Sequence, residues 1–338
     1  AMVAMRALVT GGAGFIGSHL ADFLYSATTW NSSGIEKCEV ISVDDFSTGS
    51  FENIAHLAGQ KWFRSRVHSA ADAGFMAPLV EWADCVFHLA ATVGVFQYMQ
   101  ASVATVRNNT NTTDVVLELC NRYHKPVLFT STSEVYGKGN GIPFREDDDV
   151  VIEATVKQRW GYAASKMVDE FLALAYWRQY GLPVRVVRLF NTVGPRQTGR
   201  YGMVVPRFIK AAKVGRPMTI YGDGEQTRCF CSVHDVVAGL WRLMGCEAAV
   251  GKVVNLGSDQ EISIEGLARH VAKAVGNNAL TIEGCPNVEY TPYSEAYGPG
   301  FEDLPRRVPD LSRARELIGW APKWTIEEIL SQMVERKK

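Results

Sequence analysis

Residues 9–20 read VTGGAGFIGSHL, and this stretch decides the fold. Gly11, Gly14 and Gly17 recur at intervals of three, after an apolar run and before a helix-like one. In a strand–turn–helix setting, the first glycine permits a tight turn. The second lets a pyrophosphate approach the backbone, and the third lets the helix lie close on the sheet. The free N–H groups at the start of that helix then face an anion.

Outward from this turn, short apolar runs alternate with helical periodicity. Strands are predicted in RALVT, CEVISVDD, DCVFHLA, PVLFTSTS, PVRVVRLFN and GKVVNLGS, and helices over 15–25, near 107–123 and over 162–180. TTWNSSG, at 28–34, reads as a polar loop. The expected fold class is α/β, a doubly wound parallel sheet. After residue 191 the texture becomes richer in Gly, Pro and Arg. The expected division is therefore a dinucleotide-binding domain over 5–190, with segments near 228–257 returning to it, and a smaller, mainly substrate-binding α/β domain over 191–338.

A formal net charge of −1 argues against a nucleic-acid partner. No run of 18 apolar residues occurs, so no membrane span is expected, and no leader sequence is read at the N-terminus. Seven scattered cysteines, with Cys229 and Cys231 one residue apart, do not suggest zinc, and no metal site is expected. A cytoplasmic protein is expected. The acidic run REDDDV reads as a solvated loop, and His19 and His234 as structural.

Asp44 ends the second predicted strand. A carboxylate there accepts hydrogen bonds from an adenosine ribose and repels a 2′-phosphate, which favours NAD. Tyr162 and Lys166 stand four apart in GYAASKM, on one face of a helix. A nearby ammonium and a positive nicotinamide ring would favour the phenolate, making Tyr162 a general base. Thr132, at the end of a strand, would bridge Tyr162 and a substrate oxygen.

These landmarks, with HLAA, NNTNTTDVVLE, RLFNTVGPR, IYGDGEQTR and VHDVV, occur in an order that resembles the extended short-chain dehydrogenase/reductases, specifically the nucleotide-sugar epimerases, dehydratases and decarboxylases. The resemblance spans nearly the whole chain and implies a Rossmann-type fold, NAD and a UDP-sugar substrate. It implies cofactor contacts from Gly11, Gly14, Phe15, Ile16, Gly17, Asp44, Asp45, Ser47 and Thr48. Leu89, Ala90, Ala91, Asn109, Tyr162 and Lys166 complete that set. Where the family has an Asp-Val or Asp-Ile pair at adenine, this chain reads Arg66-Val67, so Val67 is the expected contact.

On the substrate side, Asn191 matches the position that holds the diphosphate and Arg228 a phosphate-clamping arginine. Tyr221 and Gly222 would line the base, with Gln226 beside them. Arg196 would pair with a uronate carboxylate. Arg307 matches an arginine near the carboxylate in the decarboxylases, and Tyr98 falls near a tyrosine used there. The helices near 107–123 and 162–180 match those of a four-helix seam, so a homodimer is expected.

Three fates of a shared 4-keto intermediate follow from the resemblance. Dehydration needs an Asp-Glu pair after the catalytic Thr, and here the residues are Ser133 and Glu134. The main expectation is a UDP-sugar 4-epimerase acting on UDP-glucuronate or UDP-glucose, with catalytic Thr132, Tyr162 and Lys166 joined by Ser133 and Glu134. UDP-glucuronate decarboxylation is the alternative. A non-catalytic NAD-binding regulator is the alternative of another class.

Overall fold

The computed structural model describes residues 5–26, 38–93, 95–139, 141–276, 279–281, 283–297 and 303–335, without the side chains of 95–97. The TTWNSSG segment at 28–34 lies outside them. The central strands are β1 (Met5–Thr10), β2 (Cys38–Asp44), β3 (Phe63–Val67), β4 (Cys85–His88), β5 (Val127–Thr132) and β6 (Val184–Leu189). Five short strands follow: β7 (Thr192–Val193), β8 (Met218–Tyr221), β9 (Thr227–Cys229), β10 (Cys231–Ser232) and, back in the main sheet, β11 (Val253–Leu256). Then come β12 (Glu261–Ser263) and β13 (Val288–Thr291).

The main sheet has seven strands in the order β11-β6-β5-β4-β1-β2-β3, every neighbouring pair parallel. The order reverses beside β1, so the carboxyl ends of β1 and β4 diverge there and leave the crevice in which such sheets bind ligands. Both faces are covered, as the near-continuous apolar strands require. On one face lie α1 (Phe15–Ser26) and, later in the chain, Val233–Met244. On the other are α2 (Ala73–Trp82), the short α3 (Val95–Gln100), α4 (Ser102–Arg122) and α5 (Gly161–Tyr180).

A separate apolar cluster lies towards the C-terminus. It joins α6 (Val204–Lys213) to Ile264–Val275 and Ile326–Glu335 through Phe208, Leu267, Val271 and Leu330. Here the β8–β13 pair is parallel and the β9–β12 pair antiparallel. The strand predicted in GKVVNLGS returns to the main sheet beside β6. β3 was not expected from sequence, because FRSRV is an exposed edge strand with three polar residues in a row between Phe63 and Val67 and so lacks the alternation that marks a strand.

Candidate active site

The glycine turn is built as its spacing requires. Gly11 sits at φ +69°, and a Cβ there would stand 2.8 Å from the Ala90 backbone nitrogen. At Gly17 a Cβ would lie 2.1 Å from the Gly11 carbonyl oxygen, so α1 packs against the turn only without a side chain. Asp44 clasps this turn: its carboxylate accepts from the Ala13 N–H and the Phe46 N–H, each at 2.9 Å. Burial pushes that carboxyl above its ordinary value, against the pull of those N–H groups.

One cavity of about 630 Å³ runs along the strand ends. Its wall includes Gly11, Gly14, Phe15, Ile16, Gly17, Asp44, Asp45, Ser47, Thr48, Leu89, Ala90 and Ala91. Two expected contacts lie elsewhere. Val67 pairs in register with Asp44 but turns outward and is 63% exposed, while His68, Ser69 and Ala70 close that end of the cavity. Asn109 is buried behind the wall, where its Oδ1 accepts from Thr92 N–H at 2.8 Å and its Nδ2 donates to Thr92 O at 3.2 Å. Asn108 and Thr112, on the adjoining face of α4, reach the cavity instead.

Thr132, Ser133, Glu134, Tyr162 and Lys166 line the same cavity. β5 ends at Thr132, whose hydroxyl caps the next turn by accepting from Glu134 N–H. Lys166 stands one helical turn beyond Tyr162. Its Nζ is 4.0 Å from the Phe129 ring centre and 3.5 Å from Asp169 Oδ2. Burial lowers its affinity for a proton and Asp169 raises it.

The sequence expectation joined the Lys166 ammonium to a positive nicotinamide ring, and the protein's own groups by themselves do not lower the Tyr162 phenol. Burial pushes the phenol up, Glu134 and Asp169 add to the shift, and only the Thr132 hydrogen bond opposes it. The largest of these causes is burial, which takes water away from the charged form.

Glu134 is held between two guanidinium groups. Arg307 Nη1 donates to Oε1 at 2.6 Å, and Arg159 Nη1 donates to Oε2 at 2.9 Å. Burial disfavours the carboxylate, but Arg307 and Arg159 overcome it and bring the acid down to about 2. Glu134 is therefore an anion at neutral pH and not a proton donor.

A second hollow of about 220 Å³ adjoins the first, sharing Glu134, Asn191 and Arg307 with it. Tyr221, Gln226 and Arg228 also line it. Arg228 donates through Nη2 to Asp303 Oδ2 at 2.6 Å and through Nη1 to Leu304 O at 2.9 Å. Tyr221 lies beneath the Arg207 guanidinium at 4.3 Å. Gln226 Nε2 donates to Tyr221 O, while its Oε1 is buried without a partner among the described residues. Gly222, at φ +78°, lies against Tyr293, where a Cβ would come within 2.6 Å of the ring.

Of the two other substrate assignments, Arg196 reaches the first cavity, where its Nη2 is paired with Asp22 on α1 at 2.5 Å and its Nη1 is buried without a partner among the described residues. Tyr98 lines neither hollow: it is buried with its hydroxyl against Gly161, where a Cβ would be only 1.8 Å away. It packs against the first residue of α5. Arg159, Asp303 and His68 were not expected from sequence. An arginine three residues before the tyrosine, in RWGY, was the available signal for Arg159. Among the described residues no cluster of His, Cys, Asp and Glu could hold a metal, and no helix is long and apolar enough to cross a membrane.

Residues 8–333 match the family described as GDP-mannose 4,6 dehydratase. The chain belongs to that family. Its members here are NAD-dependent nucleotide-sugar epimerases, dehydratases and decarboxylases of the extended short-chain dehydrogenase/reductase type. A UDP-N-acetyl-α-D-glucosaminuronate decarboxylase of Bacillus cytotoxicus is 39% identical over 331 residues, covering 98% of this chain and 97% of that one. UDP-glucuronic acid decarboxylase 1 of Xenopus tropicalis is 37% identical, covering 97% and 71%. Among solved structures, a UDP-glucuronic acid 4-epimerase of Bacillus cereus, in complex with NAD and a fluorinated UDP-glucuronic acid, superposes with a TM-score of 0.83. It is 27% identical over 98% of both chains.

Proposed function

We propose that this family member is an NAD-dependent UDP-uronate decarboxylase, acting on UDP-glucuronate or its 2-acetamido analogue. The observation that carries this reading is the buried Arg159–Glu134–Arg307 cluster, whose Glu134 and Arg307 line the cavity that holds Tyr162 while Arg159 lines the adjoining hollow. Near-full-length likeness to a curated uronate decarboxylase supports it.

The glycine turn fits NAD. The space that a Cβ would fill at Gly11 and Gly17 lets backbone and helix close up, and the first residues of α1 line the cavity, where helix N–H groups suit an anion. Gly14 would lie at the pyrophosphate and Asp44 at the adenosine ribose. NAD supplies the acceptor for the hydride from the sugar C4 and later returns it.

The chain's own groups do the rest. Tyr162 accepts the C4 hydroxyl proton as the hydride leaves, with Thr132 aligning the oxygen. The C6 carboxylate is then β to a ketone, so the C5–C6 bond breaks as carbon dioxide, its electron pair moves towards the C4 oxygen, and a proton from solvent adds at C5 to restore the ketone before the hydride returns to C4. Tyr162, now a phenol whose buried setting favours the protonated form, donates a hydrogen bond to that oxygen. Arg307 and Arg159 attract the uronate, while Glu134 takes up part of their charge. The leaving carboxylate is thus held without being over-stabilised. Arg228 and Asn191 hold the diphosphate, and Tyr221, Gly222 and Gln226 the uracil.

4-Epimerisation, the main expectation from sequence, keeps support from the solved UDP-glucuronic acid 4-epimerase. One experiment separates the readings. The protein is incubated with NAD and UDP-glucuronate, and separately with the 2-acetamido uronate. Carbon dioxide release with a UDP-pentose product supports decarboxylation, and UDP-galacturonate without carbon dioxide supports epimerisation.

Homodimer formation through α4 and α5 belongs to the same proposal. The two helices pack together and leave Val103, Val168 and Phe171 exposed.

A further inference from the structure

Asp169 lies one turn beyond Lys166 on α5, with none of its surface exposed. Its Oδ2 stands 3.5 Å from Lys166 Nζ, and neither carboxylate oxygen makes a hydrogen bond within normal geometry among the described residues. The groups around the pair offer no second anion for the lysine. From α4 comes the Thr113 hydroxyl, itself bonded to His88 Nε2 at 3.2 Å. His88, on β4, is neutral, because burial lowers it to about 3. From β5 comes only the Phe129 ring. On α5, Glu170 is engaged by Arg188 of β6 at 2.8 Å, and Tyr162 lies towards the cavity.

Burial pushes the Asp169 acid above its ordinary value while Lys166 and the Thr113 hydroxyl oppose the push, so this buried carboxylate is costly unless it faces a charge it must balance. We propose that Asp169 is a positioning residue for catalysis, the buried counter-ion that keeps Lys166 protonated in a site where burial would otherwise strip its proton. The charged ammonium is what the Tyr162 phenolate requires when it forms, so Asp169 sets the alkaline limit of turnover. The link to turnover rests on the reaction proposed above; the link to Lys166 rests on geometry alone.

The test is a pair of titrations on full-length protein saturated with NAD. Lys166 is followed by its ¹³Cε resonance, identified by its loss in Lys166→Met, and the rate profile is recorded with whichever UDP-uronate is turned over. In Asp169→Asn, the Lys166 midpoint is expected to fall by about one to three pH units, and the alkaline limb of the rate to fall with it. Asp169→Glu should restore most of both. An unmoved Lys166 midpoint, or a rate limb that moves without it, overturns the proposal. If the variants fail to fold, the parent decides: a Lys166 still charged at pH ~8 supports the counter-ion, and one already neutral there overturns it. Absence of turnover on every UDP-uronate would remove the proposed reaction alone, since the resonance titration needs no substrate.

Discussion

Arg307 Nη1 and Glu134 Oε1 meet at 2.6 Å although 173 residues separate them in sequence. With Arg159 on the other oxygen, this contact ties the end of β5, the approach to α5 and the C-terminal segment into one buried charged cluster.

Glu134→Gln removes the anion and leaves two buried guanidinium groups facing one another. Breaking such a cluster from one side costs about 3–5 kcal/mol. The sign with pH follows from the depressed acid. The carboxylate's contribution is complete above its unfolded value of 4.5 and is lost as pH falls through about 2. Thermal melts of the parent and the variant should differ most above pH 4.5 and converge near pH 2. Curves that stay parallel across that window would contradict the clamp.

Tyr162→Phe should lower turnover by about 10²- to 10⁴-fold, because the proton acceptor and the later hydrogen bond to the C4 oxygen disappear together. NAD content, read by absorbance after denaturation, should be unchanged. Full activity in this variant would show that Tyr162 is not the proton acceptor and would overturn the proposed mechanism.

Gly17→Ala places a methyl 2.1 Å from the Gly11 carbonyl oxygen, a backbone atom that cannot swing aside. The start of α1 must shift, and NAD affinity measured by calorimetry should fall at least about tenfold. Gly74→Ala is the control. Its Cβ would meet only the Asp72 side chain at 3.4 Å, and an alanine at this second position of α2 should be neutral or stabilising by up to ~1 kcal/mol.

Phe171→Glu puts a charge at the centre of the exposed α4–α5 face. Sedimentation velocity at micromolar concentration should show the parent as a dimer and this variant as a monomer. A parent that sediments as a monomer, or a variant that remains dimeric, would place any subunit interface elsewhere.

The readings that the sequence supported alone are those governed by neighbours in the chain. Glycine spacing specifies a turn, strand and helix periods specify layers, and Tyr162 and Lys166 fall on one face because a helix turns every 3.6 residues. The same local logic failed where one residue of register matters. Val67 faces out while His68 lines the cavity, and Asn109 faces in while Asn108 lines it, since adjacent residues on a strand or helix point to different sides.

Sequence by itself therefore determined the parallel α/β frame, the dinucleotide turn and the tyrosine–lysine pair. Tertiary structure alone decided which partner each charge has: Arg196 is paired with Asp22, Arg228 with Asp303, Glu134 is held anionic between Arg159 and Arg307, and Lys166 answers to Asp169. Most of these partners are 25 to 174 residues apart, and the close pair depends on burial. The energy of a charge is set by the distance and solvent exposure of its neighbours, which the order of residues does not specify.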